Sequence, residues 1–178
     1  MKFLKTSSLY NLNKSTYINL RWIAYIGQLA TILLVQFFFE FQFNYLPCIF
    51  IVFISVLTNL YLIFKIKENQ LNNFSSCTFL TYDILQLGVL FFFTGGITNP
   101  FIFLIIIPAV FSSQHLSIKA SIILVSLTTA ALLFLTFFHF ELPNPNFIHF
   151  HVPDYYLYSI PTAIFIGLIF LVYFGVKF

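Results

Sequence analysis

One short stretch of this sequence combines residues that shape a tight turn with residues that can contact a ring-shaped ligand. It reads Gly95-Gly96-Ile97-Thr98-Asn99-Pro100-Phe101. Either glycine can end a helix in the left-handed conformation, which other residues rarely adopt. Asn99 suits the N-cap of a following helix, and Pro100 suits its first position, where a missing N–H costs nothing. The sequence therefore predicts a tight connection between two helices.

The chemistry of this turn depends on the helix that follows it, because the first turn of a helix carries unpaired N–H groups. Phenylalanines lie on both sides of it, namely Phe91, Phe92, Phe93, Phe101 and Phe103. A quinone head group needs this combination, since its ring stacks on aromatic faces while its carbonyl oxygens accept hydrogen bonds from N–H groups or from the Asn99 amide. A well-formed helical hairpin turn with apolar filler explains the same residues, and spacing alone favours that interpretation.

Two polar residues stand out within an otherwise apolar stretch. Asp83 and Gln86 lie one helical turn apart, so they share a face of the predicted helix. An acid inside a membrane span is costly and indicates a partner or a function. A structural ion pair with Arg21 or Lys119 and a signalling role both remain open. Arg21 and Trp22 are interpreted as anchors of the first helix at the membrane interface.

The histidines are weak candidates for a metal site. His149 and His151 lie in one loop, and with His139 they could hold a metal, but no carboxylate pair accompanies them at a recognised spacing. We therefore predict solvated histidines and no metal. A haem would need histidines at similar depth, whereas His115 and His139 are predicted at opposite ends of the membrane.

The elements that position these residues are membrane-spanning helices. Hydrophobic residues make up 60% of the chain and charged residues only 7%. The surface must therefore face lipid. The net charge of +3 is not concentrated in a basic block, which excludes nucleic-acid binding. Cys48 and Cys77 have neither a disulfide nor a zinc pattern. The first twenty residues lack the continuous apolar core of a signal peptide, so the first helix is expected to be retained.

Six apolar runs predict an all-α membrane protein with six transmembrane helices. They cover residues 21–40, 45–64, 77–95, 100–116, 118–139 and 156–176. The fourth is short, and Pro108 within it should kink the helix near Leu104. We predict an N-terminal tail over residues 1–20 and a six-helix domain over residues 21–178.

The charged residues predict the orientation of the six helices. All lysines and arginines fall on one side, namely Lys2, Lys5, Lys14, Arg21, Lys65, Lys67, Lys119 and Lys177. The opposite side carries Glu40, Glu141 and Asp154 and no basic residue. The positive-inside rule then predicts both termini in the cytoplasm, with an irregular outer loop between Glu141 and Asp154.

Several segments are similar in type and order to one known family. They are the turn at residues 95–101 and residues 21–24, 27–31, 46–48, 59–60 and 83–87. The chain resembles the RegB/PrrB family of redox-responsive sensor histidine kinases, whose membrane domain carries a GGxxNPF sequence in a short external loop. Gly95, Gly96, Asn99, Pro100 and Phe101 match that sequence. The resemblance covers roughly residues 21 to 176.

This resemblance implies a sensor in the bacterial inner membrane that binds ubiquinone at the five matching residues. Such a sensor would report the redox state of the quinone pool to a histidine kinase core, in cis or in trans, which phosphorylates a response regulator. A homodimer is implied as well. The kinase core and the redox-active cysteine of the family are missing from these residues, so no catalysis by this chain is expected. The alternatives are a small transporter or channel component and a structural membrane subunit.

Overall fold

The computed structural model describes residues 12–38, 43–141 and 154–177, which form a bundle of six α-helices. The helices are α1 (Lys14–Phe37), α2 (Tyr45–Lys65), α3 (Asn73–Phe93), α4 (Ile107–His115), α5 (Ile118–Phe137) and α6 (Asp154–Lys177). Two short 3-10 helices, Gly96–Thr98 and Ile102–Ile106, connect α3 to α4. The strands β1 (Leu12–Asn13) and β2 (Gln70–Leu71) pair antiparallel.

The predicted all-α membrane fold is confirmed. Five described helices, α1, α2, α3, α5 and α6, are long and apolar enough to cross a membrane, and the apolar segment Ile102–His115 is shorter. With a rise of about 2.0 Å per residue in its 3-10 part and about 1.5 Å in α4, this segment is about 24 Å long, against a hydrocarbon core of roughly 30 Å. We therefore expect one end of it to lie inside the membrane boundary.

The first helix begins earlier than the sequence predicts. α1 starts at Lys14 rather than at residue 21. The Asn13 side chain caps the helix, because it accepts a hydrogen bond from the Thr16 N–H at 3.2 Å. Lys14 Nζ donates to the carbonyl of Ile66, just after α2, and so ties the two helices together. The predicted domain division near residue 20 stays a prediction.

The lysines of the described residues gather at one end of the bundle, as predicted. Pairing of β1 with β2 brings the start of α1 beside the loop between α2 and α3. The Ser117 N–H donates to Asn73 Oδ1 at 2.8 Å, which brings the α4–α5 connection to the same end. Lys14, Lys65, Lys67 and Lys119 lie there, and Glu141 follows α5 at the other end. The positive-inside rule assigns the lysine end to the cytoplasm.

Helices α3 and α5 form the centre of the bundle. Helix α2 packs between α1 and α3, while α6 packs against α4 and α5. Large apolar side chains are exposed on the outer faces, which suits helices that contact lipid. Cys48 is buried, Cys77 is half-buried, and both are free thiols.

Helix α6 approaches α4 closely at one glycine, which gives a first prediction. A Cβ at Gly175 would lie 2.1 Å from Ser113 Oγ. Gly175→Ala should therefore push the helices apart and cost about 1–3 kcal/mol. Gly167 of the same helix is the matched control, because a Cβ there has no neighbour within 4 Å. Thermal unfolding in detergent should show a lower midpoint for Gly175→Ala than for Gly167→Ala. Equal midpoints would mean that this close approach is wrong.

Candidate functional site

The connection from α3 to α4 is shaped by two glycines in the left-handed region. Gly95 has φ of 101° and Gly96 has φ of 54°. The Thr98 N–H donates to the Gly95 carbonyl at 3.1 Å, and the Asn99 N–H donates to the Gly96 carbonyl at 3.2 Å. The predicted left-handed helix end is therefore confirmed, and both glycines contribute to it.

Asn99 holds this turn closed through its side chain. Its Nδ2 donates to the Thr94 carbonyl at 2.7 Å and to Thr94 Oγ1 at 3.0 Å. Its Oδ1 accepts the Phe101 N–H at 2.9 Å. This last contact is an Asx turn. Both amide hydrogens are used inside the protein. Hydrogen bonds to a ligand would have to come from other groups in this conformation.

The segment after the turn differs in detail from the single helix predicted over residues 100–116. The predicted roles of Asn99 as N-cap and Pro100 as first helical residue are wrong, because Asn99 ends the 3-10 helix Gly96–Thr98 and Pro100 lies in the turn. The chain then continues as the 3-10 helix Ile102–Ile106 before α4 starts at Ile107. Pro108 stands in the first turn of α4 and cannot donate to the Leu104 carbonyl. The predicted kink near Leu104 therefore takes the form of a change from 3-10 to α-helix.

The five residues that match GGxxNPF divide into two groups by exposure. Gly95, Gly96 and Asn99 are buried and build the turn. Pro100 and Phe101 are exposed, and 42% of the Phe101 surface is accessible. We call these two residues the ledge. Pro100 and Phe101 are thus the matching residues whose side chains reach the surface of the described bundle.

His139 packs directly against the turn, which the sequence does not predict. A Cβ on Gly96 would lie 2.3 Å from His139 Cγ, so glycine is needed there for packing as well as for its backbone conformation. The sequence predicts a solvated His139, but the side chain is half-buried, and its Nδ1 lies 2.9 Å from the Leu135 carbonyl oxygen. His149 and His151 lie outside the described residues.

Phenylalanines from α3 and from the end of α5 form a cluster beside the turn. Phe93 stacks on Phe140 with ring centroids 5.6 Å apart, and Phe92 stacks on Phe134 at 6.1 Å. The Phe140 N–H also donates to the Phe92 carbonyl at 2.8 Å. We call Phe92, Phe93, Phe134, Phe138 and Phe140 the outer aromatic cluster. Sequence reasoning missed Phe134, Phe138 and Phe140, because they lie about forty residues from the turn.

A second polar group lies deeper in the bundle, between α1, α2 and α3. Arg21 Nη2 lies 2.9 Å from Asp83 Oδ1, and the Tyr17 hydroxyl donates to Asp83 Oδ2. Only 3% of Arg21 is exposed, so its interpretation as an interfacial anchor was wrong. The alternative of an ion pair between Asp83 and Arg21 is confirmed.

Aromatic rings surround this buried guanidinium. Its Cζ lies 5.4 Å from the ring centroid of Tyr17, 5.6 Å from that of Tyr25, and 5.7 Å from those of Phe79 and Tyr82. Cation–π contacts of this kind reduce the cost of holding the charge in the membrane. Arg21 Nη2 also donates to Thr58 Oγ1 at 2.8 Å. The guanidinium therefore contacts a carboxylate, a hydroxyl and π faces.

Gln86 is paired with α1 as well. Its Nε2 donates to Gln28 Oε1 at 3.0 Å, and only 6% of Gln86 is exposed. Asp83 and Gln86 stand nearly alone in the sequence of α3, yet both have partners on the first helix. These pairs close the interface between α1 and α3, whereas a transporter would need polar groups that line a path.

A shallow apolar groove of about 230 Å³ runs between α4 and α6. It is lined by Phe103, Ile106, Ile107, Val110, Phe111, Gln114 and Leu171. Such a groove has the lining that an apolar chain would need. Among the described residues no three histidine, cysteine, aspartate or glutamate side chains come together as metal ligands.

Comparison with known proteins identifies relatives of this chain. The model of the PilS-like transmembrane domain family matches residues 14–177. The sensor histidine kinase RegB of Cereibacter sphaeroides is 34% identical over 157 residues, which cover 88% of this chain and 34% of that protein. The chain thus spans about a third of the length of this relative. No solved structure matches. The resemblance to RegB is confirmed, and the protein is a multi-pass protein of the bacterial inner membrane.

Proposed function

We propose, from the premise that this chain belongs to the PilS-like transmembrane domain family, that it senses the redox state of the membrane quinone pool. In this proposal ubiquinone binds at the α3–α4 turn of a sensor histidine kinase membrane domain. Binding is relayed to a kinase core, in cis or in trans, which phosphorylates a response regulator. Two copies of the chain would form the signalling dimer, as the resemblance to the RegB/PrrB family implies.

The observation that carries the proposal is the position of the ledge. Pro100 and Phe101 are exposed in a turn that Asn99 holds closed, and the outer aromatic cluster includes Phe92 and Phe93 at the end of α3, just before that turn. A quinone ring can stack on the Phe101 face, while its isoprenoid tail stays in lipid. The short fourth segment brings this turn towards the hydrocarbon region, where a hydrophobic quinone resides.

Signal transfer requires that the ligand binds two arrangements of the helices with different affinity. The turn directly joins α3 to the segment leading into α4, and α4 packs against α6. A quinone that favours one position of this segment can therefore shift α6. Helix α6 ends at Lys177 at the lysine end of the bundle, where a kinase core would receive the shift.

Photolabelling with an azido-ubiquinone tests this binding site on the full chain in lipid nanodiscs. Phe101→Ala removes one stacking face and should reduce labelling about three- to tenfold. Phe103→Ala is the matched control, because Phe103 is equally apolar and exposed but lines the groove. Asn99→Ala should also reduce labelling, since it opens the turn. Labelling that is unchanged in both Asn99→Ala and Phe101→Ala would refute the proposed site.

A further inference from the structure

Three buried polar atoms without hydrogen-bond partners lie at the interface between α1 and α2. They are Arg21 Nη1, Tyr25 Oη and Asn59 Oδ1, and the residues that carry them are 0–3% exposed. Among the described residues only one further buried side-chain atom, Ser121 Oγ on α5, lacks a partner in the same way. Such atoms are costly inside a membrane, because lipid offers no hydrogen bonds. Unmet hydrogen-bonding capacity is therefore concentrated at one interface.

Two of these atoms lie close together. Arg21 and Tyr25 are one helical turn apart on the same face of α1, and Arg21 Cζ lies 5.6 Å from the Tyr25 ring centroid. The guanidinium and the Thr58 hydroxyl are both polar neighbours of the Tyr25 hydroxyl. Thr58 Oγ1 donates to the Ser55 carbonyl at 2.8 Å and accepts from Arg21 Nη2. This pairing occupies Nη2, while Arg21 Nη1 and Tyr25 Oη keep their hydrogen-bonding capacity.

The chemistry of these two atoms determines which ligand fits between them. An arginine Nη1 only donates hydrogen bonds, whereas a tyrosine hydroxyl both donates and accepts. A metal cation would be repelled by the guanidinium and cannot accept its hydrogen. An anion would add an unbalanced charge, since Arg21 already has its counter-ion in Asp83 at 2.9 Å. Four aromatic rings with centroids within 5.7 Å of Arg21 Cζ favour a small molecule, so the ligand must be small, neutral and able to accept and donate.

We propose that a water molecule is bound between Arg21 Nη1 and Tyr25 Oη, inside the membrane-spanning bundle. The water accepts a hydrogen bond from Nη1 and donates one to Tyr25 Oη, whose own hydrogen is directed towards Thr58. Buried waters commonly satisfy otherwise unpaired polar groups in this way. The site is separate from the α3–α4 turn, because Asp83, the partner of Arg21, lies about 15 Å along the helix from the end of α3. The inference therefore does not depend on quinone binding.

Solid-state NMR on the full chain in lipid nanodiscs tests this site, because Arg21 is the only arginine in the sequence. Arginine labelled with the NMR-active nitrogen isotope reports on Arg21 alone, at a low temperature where its two Nη nitrogens give separate signals. We expect magnetisation from water protons to reach Nη1 faster than the backbone nitrogen of Arg21. Tyr25→Phe should slow the transfer to Nη1 about three- to tenfold, the effect of one neutral hydrogen bond. Tyr61→Phe is the matched control, because Tyr61 is 57% exposed on α2 and should not change the transfer.

Three outcomes would overturn the inference. Transfer to Nη1 that is no faster than transfer to the backbone nitrogen contradicts a bound water, and transfer that Tyr25→Phe leaves unchanged contradicts its position. Transfer to Nη1 from phospholipid head-group protons in place of water would show that a lipid holds the guanidinium. Tyr25→Met provides a second variant without a hydroxyl, in case the phenylalanine variant does not fold, because methionine adapts to irregular spaces.

Discussion

Replacing Asp83 with alanine is expected to destabilise the bundle by about 3–5 kcal/mol, because removing one partner of a buried ion pair carries a cost of this size. The substitution leaves the guanidinium of Arg21 buried without its counter-ion. Tyr17 loses its acceptor at the same time. Unfolding of the purified chain in mixed detergent micelles, followed by circular dichroism, measures the change.

A double variant separates the ion pair from the general effect of altering α3. Arg21→Met combined with Asp83→Leu removes both charges and keeps apolar volume, so it should recover most of the lost stability. Arg21→Met alone should be destabilising, because it leaves the Asp83 carboxylate without the guanidinium. If Asp83→Ala unfolds like the native chain, the charge is not buried as described.

Gly96→Ala is expected to cost about 2–5 kcal/mol and to abolish quinone labelling. Two causes add, since a left-handed backbone costs a non-glycine residue about 1–2 kcal/mol and overpacking against His139 costs about 1–3 kcal/mol. Thermal unfolding together with azido-ubiquinone labelling checks both effects.

The matched control for Gly96 is Gly88→Ala in α3, where a Cβ has no neighbour within 4 Å. That variant should be as stable as the native chain or slightly more stable, because alanine is favoured over glycine in a helix. Combining Gly96→Ala with His139→Ala should recover the packing part of the loss only. A Gly96→Ala chain with native stability and labelling would show that the turn is not built around this glycine.

Sequence patterns predicted most of the fold because lipid imposes a simple rule. A span needs about twenty apolar residues, and five of the six runs met that length. The fourth segment and the start of α1 were harder. Pro108 stands where the 3-10 helix of the fourth segment changes to α4. The first turn of α1, after Asn13, is stabilised by the pairing of β1 with β2 and by the hydrogen bond from Lys14 to the Ile66 carbonyl. Neither effect is visible in hydropathy.

The site was predicted only in part, because several of its contacts join residues far apart in the chain. Local turn chemistry identified Gly95, Gly96 and Asn99, whose partners lie within a few residues. The contacts of Gly96 with His139 and of Arg21 with Asp83 span more than forty residues. Their only sequence signal was an ionisable residue in an apolar stretch, which indicates a partner without naming it.

The position of a photolabel on the chain tests the central claim most directly. Azido-ubiquinone bound to the native chain in nanodiscs is crosslinked, and the labelled peptides are identified by mass spectrometry. We predict labels on residues 98–101 or 138–140, around the ledge and His139. Labels concentrated on residues 106–114 or on Leu171 would place the quinone in the groove between α4 and α6 and would contradict this account.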